Sequence, residues 1–151
     1  MRYSQIRDML DRVRDFHGQL ADYYREISEN TDRQRLRLLL DHMSGHESQL
    51  KKSLTAYEED ASRQIMDTWV DCQYCNEVLF TCQQTLIAPD ASVDDVIRAA
   101  LDVDNCLMHF YREVAEKANS ESVREVFRNL IDMEESELRQ LALGALQLAD
   151  M

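Results

Sequence analysis

The stretch HGQLADYYREI at residues 17–27 is repeated at residues 104–114 as DNCLMHFYREV, 87 positions further along the chain. In and around both stretches, apolar residues recur at steps of three and four, the spacing that places side chains on one face of an α-helix. Other pairs at the same offset are Leu36 and Val123, Leu40 and Phe127, Glu47 and Glu134, and Leu54 and Leu141. Because the repeat runs without a gap, we infer that the chain contains two copies of one helical unit.

Each copy contains two apolar helical stripes separated by a turn, near Asn30 in the first copy and near Asn119 in the second. Thr31-Asp-Arg-Gln34 matches a capping box at the start of a helix. Ser92 is a typical N-cap residue in front of the third stripe. The pattern therefore predicts an all-α fold of two tandem helical hairpins, the first at about 2–60 and the second at about 92–149.

Two hairpins that run in the same direction need a connection that travels the length of the bundle. We assign this crossover to about 61–91 and expect a short helix within it, around residues 72–84. The chain of 151 residues has only three Gly and one Pro, which favours few, long helices. Its length suffices for one continuous core, so we expect a single domain over 1–151.

The charge of the chain limits its partners. A formal net charge of −12 disfavours binding to nucleic acid or to an anionic membrane, since both require clustered Lys and Arg. No apolar run is long enough to cross a bilayer, and the first residues lack the apolar stretch of a signal peptide. We therefore expect a cytoplasmic protein, in which the four cysteines are more often reduced thiols, metal ligands or small core residues than disulfides.

Ionisable residues interrupt each apolar stripe. These residues are His17 on the first helix, Glu47 on the second, Asp104 on the third, and Glu134 and Glu137 on the fourth. They lie at similar distances from their turns, roughly 20 to 25 Å at the helical rise of ~1.5 Å per residue. We therefore expect them to converge in the middle of the bundle.

Four acids and one imidazole in a dry interior would repel one another unless protons, trapped water or a metal ion compensated their charge. No Lys or Arg occupies the stripes near these positions. Oxygen-rich ligand sets with one imidazole suit iron or manganese, and zinc also fits. The alternative is a relic site whose acids are protonated, hydrated or hydrogen-bonded to Tyr24 and Tyr111. His42 and His46 fall beside the stripe, at surface or boundary positions.

The segments Tyr-Tyr-Arg-Glu at 23–26 and Phe-Tyr-Arg-Glu at 110–113, together with these polar positions, resemble the ferritin-like superfamily and most of all its rubrerythrin-type branch. The resemblance covers almost the whole chain and implies a ferritin-like four-helix bundle. In that family two helices each supply one Glu and the other two each supply Glu-x-x-His, forming a di-iron site that reacts with oxygen or peroxide.

Carried over by position, the resemblance makes His17 and Asp104 the single ligands. The paired motifs become Glu47-Ser-Gln-Leu50 and Glu134-Glu-Ser-Glu137, so the di-iron motif is degenerate. Only Glu47 and Glu134 keep the family identity. Asp104 has a shorter reach than Glu, Glu137 replaces a His, and Leu50 removes a ligand for which His17 would partly compensate. The resemblance thus implies one stronger metal position, through Asp104, Glu134 and Glu137, and one weaker position.

Three functions follow from these patterns. The first is a metal-binding protein that holds iron, as one ion or a di-iron pair, or manganese, and acts on oxygen or peroxide as an oxidoreductase. The second is a non-catalytic bundle with a relic site that serves in interaction or assembly. In either case we expect a homodimer formed through exposed apolar surface. The third, a thiol redox protein, would use Cys72-Gln-Tyr-Cys75, although the pattern favours an apolar helical stripe for these cysteines.

Overall fold

The computed structural model describes residues 3–71 and 92–149. Its elements are β1 (Tyr3–Gln5), α1 (Ile6–Glu29), α2 (Gln34–Asp60), α3 (Arg63–Met66), β2 (Trp69–Asp71), α4 (Val93–Lys117) and α5 (Glu121–Ala149). Helices α1 and α2 pack against each other as one hairpin, and α4 and α5 pack as the other. The predicted all-α class and the two hairpins are therefore confirmed.

The core lies along the four long helices and contains the apolar stripes of both repeats. Its largest fully buried side chains include Tyr24, Tyr111, Phe16, Phe110 and Phe127. The rings of Tyr111 and Phe127 lie 6.2 Å apart at an interplanar angle of 51°, the tilted arrangement that aromatic pairs favour. This packing holds α4 against α5 and surrounds the polar residues of the stripes with apolar side chains.

The two predicted helix starts have different outcomes. Ser92 is the N-cap of α4, and its Oγ accepts a hydrogen bond from Asp95 N at 3.2 Å, as predicted. The capping box at Thr31 is wrong, because α2 begins at Gln34 after an N-cap at Arg33 that has no side-chain hydrogen bond. Thr31 Oγ1 instead accepts from Arg33 N at 3.3 Å, which stabilises the turn rather than the helix.

Replacement of Ser92 by alanine should lower the free energy of unfolding by about 1 kcal/mol, because the amide of Asp95 loses its acceptor at the start of α4. Urea denaturation followed by circular dichroism measures the change. Ser122→Ala is the matched control, since Ser122 is exposed in the first turn of α5, and it should change stability by less than about 0.5 kcal/mol. Equal effects of the two substitutions would contradict the capping role.

The residues before α1 form a strand, although the sequence placed the start of the first hairpin at about residue 2. Strand β1 pairs antiparallel with β2, with Tyr3 opposite Asp71 and Gln5 opposite Trp69. Ile6 N continues the pairing by donating to Thr68 O at 2.9 Å. The partner strand lies more than 60 residues away, so the pairing depends on tertiary contact rather than on local propensity.

The described start of the crossover contains α3, which Ser62 caps by accepting from Ile65 N at 3.3 Å. The helix predicted around residues 72–84 and the cysteines at 72, 75 and 82 lie outside the described residues. Cys106, on α4, is partly buried and packs against the core, as expected for a small core residue. It is also disulfide-bonded, although the sequence favoured reduced thiols, metal ligands or small core residues over disulfides.

A search of the described helices for a stretch long and apolar enough to cross a bilayer finds none.

Candidate metal centre

The five predicted ligand positions face the interior of the bundle. His17 comes from α1, Glu47 from α2, Asp104 from α4, and Glu134 and Glu137 from α5, and each side chain is at most 2% exposed. Each of these residues occupies a core-facing position of its helical stripe. Its side chain therefore points into the bundle although it is polar. The metal-ligand roles themselves stay a prediction.

His17 joins several helices at the centre of this group. Its Nδ1 is hydrogen-bonded to Glu47 Oε2, and its Nε2 lies 3.0 Å from the hydroxyl of Tyr111 and 3.5 Å from Glu134 Oε1. When Nδ1 donates to Glu47, a neutral imidazole accepts at Nε2 from the Tyr111 hydroxyl. Tyr111 thereby holds the orientation of the His17 ring.

Asp104 and Glu134 form a carboxyl pair between α4 and α5, with a side-chain hydrogen bond between them. Two carboxylates have no donor to offer each other, so one of the pair must carry a proton. Burial, followed by the neighbouring acids, raises the pKa of both groups well above their usual values. At neutral pH the pair is therefore at least partly protonated.

Glu137 lies at the edge of the group, beside His46. Burial and then the charge of Glu47 raise the pKa of Glu137 to about 8. His46 Nδ1 lies 3.2 Å from Glu137 Oε2, but this oxygen has no hydrogen bond of good geometry. Burial is the main cause that lowers the pKa of His46. The two groups are thus close together and largely uncharged near pH 7.

His46 was expected at a surface or boundary position, and its side chain is 24% exposed. Its contact with Glu137 was not predicted. The available signal was a second helical stripe on α2, formed by His46, Leu50, Ser53 and Tyr57, which faces α5. His42 is exposed and lies 3.0 Å from Gln140 Oε1, outside the group of buried acids.

The side chains fit a divalent metal ion by their chemistry. Asp104 Oδ1, both carboxyl oxygens of Glu134 and Glu137 Oε2 are buried, and apart from the proton shared between Asp104 and Glu134 they have no hydrogen-bond partner among the described residues. Four carboxyl groups and an imidazole are the donors that iron and manganese accept. In residues 3–71 and 92–149, no three His, Cys, Asp or Glu side chains are placed as a ready-made site. A cation would therefore have to displace the His17–Glu47 bond and the proton between Asp104 and Glu134.

The fold is similar to that of a solved structure from Thermotoga maritima, a provisionally classified ferritin-like diiron-carboxylate protein. The similarity has a TM-score of 0.69 and covers 94% of this chain and 95% of that protein, at 16% sequence identity. Neither a protein-family model nor a curated protein matches the sequence. At this identity the similarity concerns the arrangement of the helices, which is the one that the sequence predicted. The chain thus has the ferritin-like four-helix fold.

Proposed function

We propose that this protein binds a divalent metal ion, iron or manganese, in the middle of its bundle through His17, Glu47, Asp104, Glu134 and Glu137. The observation that carries the proposal is the group of buried carboxyl oxygens on facing helices that have no hydrogen-bond partner among the described residues other than a proton shared between two of the acids. Burial of unpaired polar atoms costs roughly 1–3 kcal/mol each, so a fold that retains several of them gains from a cation. The diiron-carboxylate description of the Thermotoga protein supports the same reading.

The proposed ligands divide into two groups. Asp104, Glu134 and Glu137 form the stronger position, because three carboxyl groups from α4 and α5 lie together there. His17 and Glu47 form the weaker position, since buried Leu50 stands where the ferritin-like motif carries a second His. The site is therefore a degenerate, rubrerythrin-like one that favours one metal ion over two.

A bound iron ion would supply redox chemistry toward oxygen or peroxide. The chain itself orients the donors, since Tyr111 holds the His17 ring. Its apolar core excludes water from the group, and the Asp104–Glu134 pair holds a proton that leaves when a cation binds. The proposed class is thus a metal-dependent oxidoreductase in the cytoplasm, with metal ions as its partners and electrons supplied by a separate donor.

The experiment that tests the proposal is equilibrium dialysis of metal-free protein against Mn(II), and against Fe(II) under anaerobic conditions, with the metal content measured by elemental analysis. Binding of about one ion per chain at micromolar concentration supports the proposal. Absence of binding at that concentration contradicts it.

Leu50→His should strengthen Fe(II) binding by about tenfold or more, the scale on which single groups around a metal act. Leu50 is buried on α2 one turn after Glu47, so an imidazole there would restore the second Glu-x-x-His pair. Leu50→Phe is the matched control, because it introduces a ring without a nitrogen donor. The assignment of the weaker position fails if the two variants bind Fe(II) with the same affinity.

A non-catalytic bundle that serves in assembly is the second candidate. It is favoured by the His17–Glu47 and Asp104–Glu134 hydrogen bonds, which compensate part of the buried polar surface without a metal. Leu38, Leu143 and Leu146 are exposed on α2 and α5 and offer apolar surface for a homodimer. Under this proposal the dialysis experiment detects no metal, and the protein acts through its surface.

A further inference from the structure

A groove follows the seam between α2 and α5. Its first part has a volume of about 360 Å³ and is lined by His46, Gln49, Leu50, Asp132 and Met133, among others. An adjoining part of about 190 Å³ shares Ser53 and Met133 with it and continues toward Tyr57. The groove therefore runs along the outside of the helix pair that supplies Glu47, Glu134 and Glu137.

His46 connects this groove to the buried acids. Its side chain forms part of the groove wall and is partly exposed to solvent. On the other side Nδ1 lies 3.2 Å from Glu137 Oε2, which is itself buried. His17 and Tyr111, which also lie beside the buried acids, are fully buried. His46 thus touches the cluster and is at the same time partly exposed in the groove.

The groove carries donors suited to a cation on its way inward. Asp132 is exposed and lines the same part of the groove as His46. His46 Nε2 is buried at the inner wall of the groove and has no hydrogen-bond partner among the described atoms. A neutral imidazole nitrogen and a carboxylate are both metal donors, and the net charge of −12 attracts cations to the surface.

We propose that the groove between α2 and α5 is the path by which a divalent cation reaches the buried acids, with Asp132 at its outer end and His46 at its inner end. His46 is a positioning residue on this path, next to Glu137, and not a permanent ligand. The inference rests on the proposed function, because it assumes that the buried acids bind the cation.

The test measures rates as well as affinity, using Mn(II) alone as the probe. Dialysis gives the Kd, and transfer of bound Mn(II) to excess chelator gives the dissociation rate, so their ratio gives the association rate. His46→Phe keeps a ring in place but removes both nitrogens. We expect the association and dissociation rates to fall together by about tenfold, with the Kd changed by less than about twofold.

Two further variants make the test specific. His42→Phe is the matched control, since His42 lies one turn earlier on α2 and contacts Gln140 instead of the acids, and both rates should stay at the wild-type value. Met133→Trp places a larger side chain in the groove from α5 and leaves the His46 imidazole in place. It should slow both rates as His46→Phe does. Met133 is exposed, so this variant should fold even if His46→Phe does not.

Three outcomes would overturn the path. Unchanged rates in both His46→Phe and Met133→Trp would exclude the groove, while the metal site itself would stand. A weaker Kd with an unchanged association rate in His46→Phe would make His46 a ligand instead of a positioning residue. Absence of Mn(II) binding by the wild-type protein in dialysis would remove the proposed function and the path together, and the dialysis alone identifies that case.

Discussion

Replacement of Glu134 by alanine is expected to weaken Mn(II) and Fe(II) binding by about 100-fold or more, beyond the loss that changes around a ligand usually cause. Glu134 lies at the centre of the buried group, with Asp104 hydrogen-bonded to it and His17 Nε2 3.5 Å from its Oε1. Both of its carboxyl oxygens are buried, and apart from the proton shared with Asp104 neither has a hydrogen-bond partner among the described residues. The variant removes a proposed ligand of the stronger position, which also lies beside His17 of the weaker position.

Glu135→Ala is the matched control for this prediction. Glu135 is the next residue on α5, but its side chain points to the surface and pairs with Arg112 at 3.3 Å. Glu135→Ala removes one carboxyl group from α5, as Glu134→Ala does, and should leave metal affinity within about twofold. Equilibrium dialysis measures the metal affinity of both variants, and circular dichroism establishes that each is folded. Equal metal affinities in the two variants would refute the role of Glu134.

The metal-free protein is expected to lose stability as the pH rises from about 7 to 9. An acid whose pKa is higher in the folded protein holds a proton that the unfolded chain releases, so the free energy of unfolding falls as the pH rises toward the folded pKa. Burial raises the pKa of Glu137 to about 8 and raises those of Asp104 and Glu134 well above their usual values. Each such group contributes up to about 1.4 kcal/mol per pH unit in its range.

Other titrating groups set the range in which this effect is clearest. Burial raises the pKa of Glu58 to about 7, which adds a loss of the same sign below that pH. Burial lowers the pKa of His46, so its protonation in the unfolded chain opposes the acids below its usual value of 6.5. Between pH 7 and 9 the buried acids therefore dominate.

Urea denaturation in the presence of a chelator, at pH 7, 8 and 9, measures the predicted loss. Glu137→Gln is the informative variant, because it keeps the shape of the side chain and removes one titrating carboxyl group. Its stability should fall less steeply than that of the wild-type protein between pH 7 and 8. A wild-type stability that stays constant or rises over pH 7 to 9 would show that the buried acids are already ionised at neutral pH.

Several local features depended on contacts that the sequence pattern does not contain. The strand at Tyr3–Gln5 forms because Trp69–Asp71 lies beside it, and no local propensity indicates that partner. The capping box at Thr31 has the right residue types, but the turn between α1 and α2 uses the Thr31 hydroxyl for Arg33 N instead.

In the site, too, the sequence predicted some features and the tertiary contacts determined others. Each of the five polar positions was predictable because helical period alone determines which face of a helix a residue occupies, and that face becomes the core. The contact of His46 with Glu137 was missed, because it depends on how closely α2 and α5 approach and on their rotation. The distance between the two helices and their rotation decide whether a residue just off the stripe lies at the surface or beside the site.

The sequence by itself thus determined the four helices, their two hairpins and the burial of His17, Glu47, Asp104, Glu134 and Glu137, because each of these follows from periodicity along one helix. Only the tertiary structure decided which of these groups touch. It paired His17 with Glu47 and Asp104 with Glu134, and it placed the groove along α2 and α5. Such pairings depend on distances of a few ångströms between separate helices, which a periodic pattern along one chain does not specify.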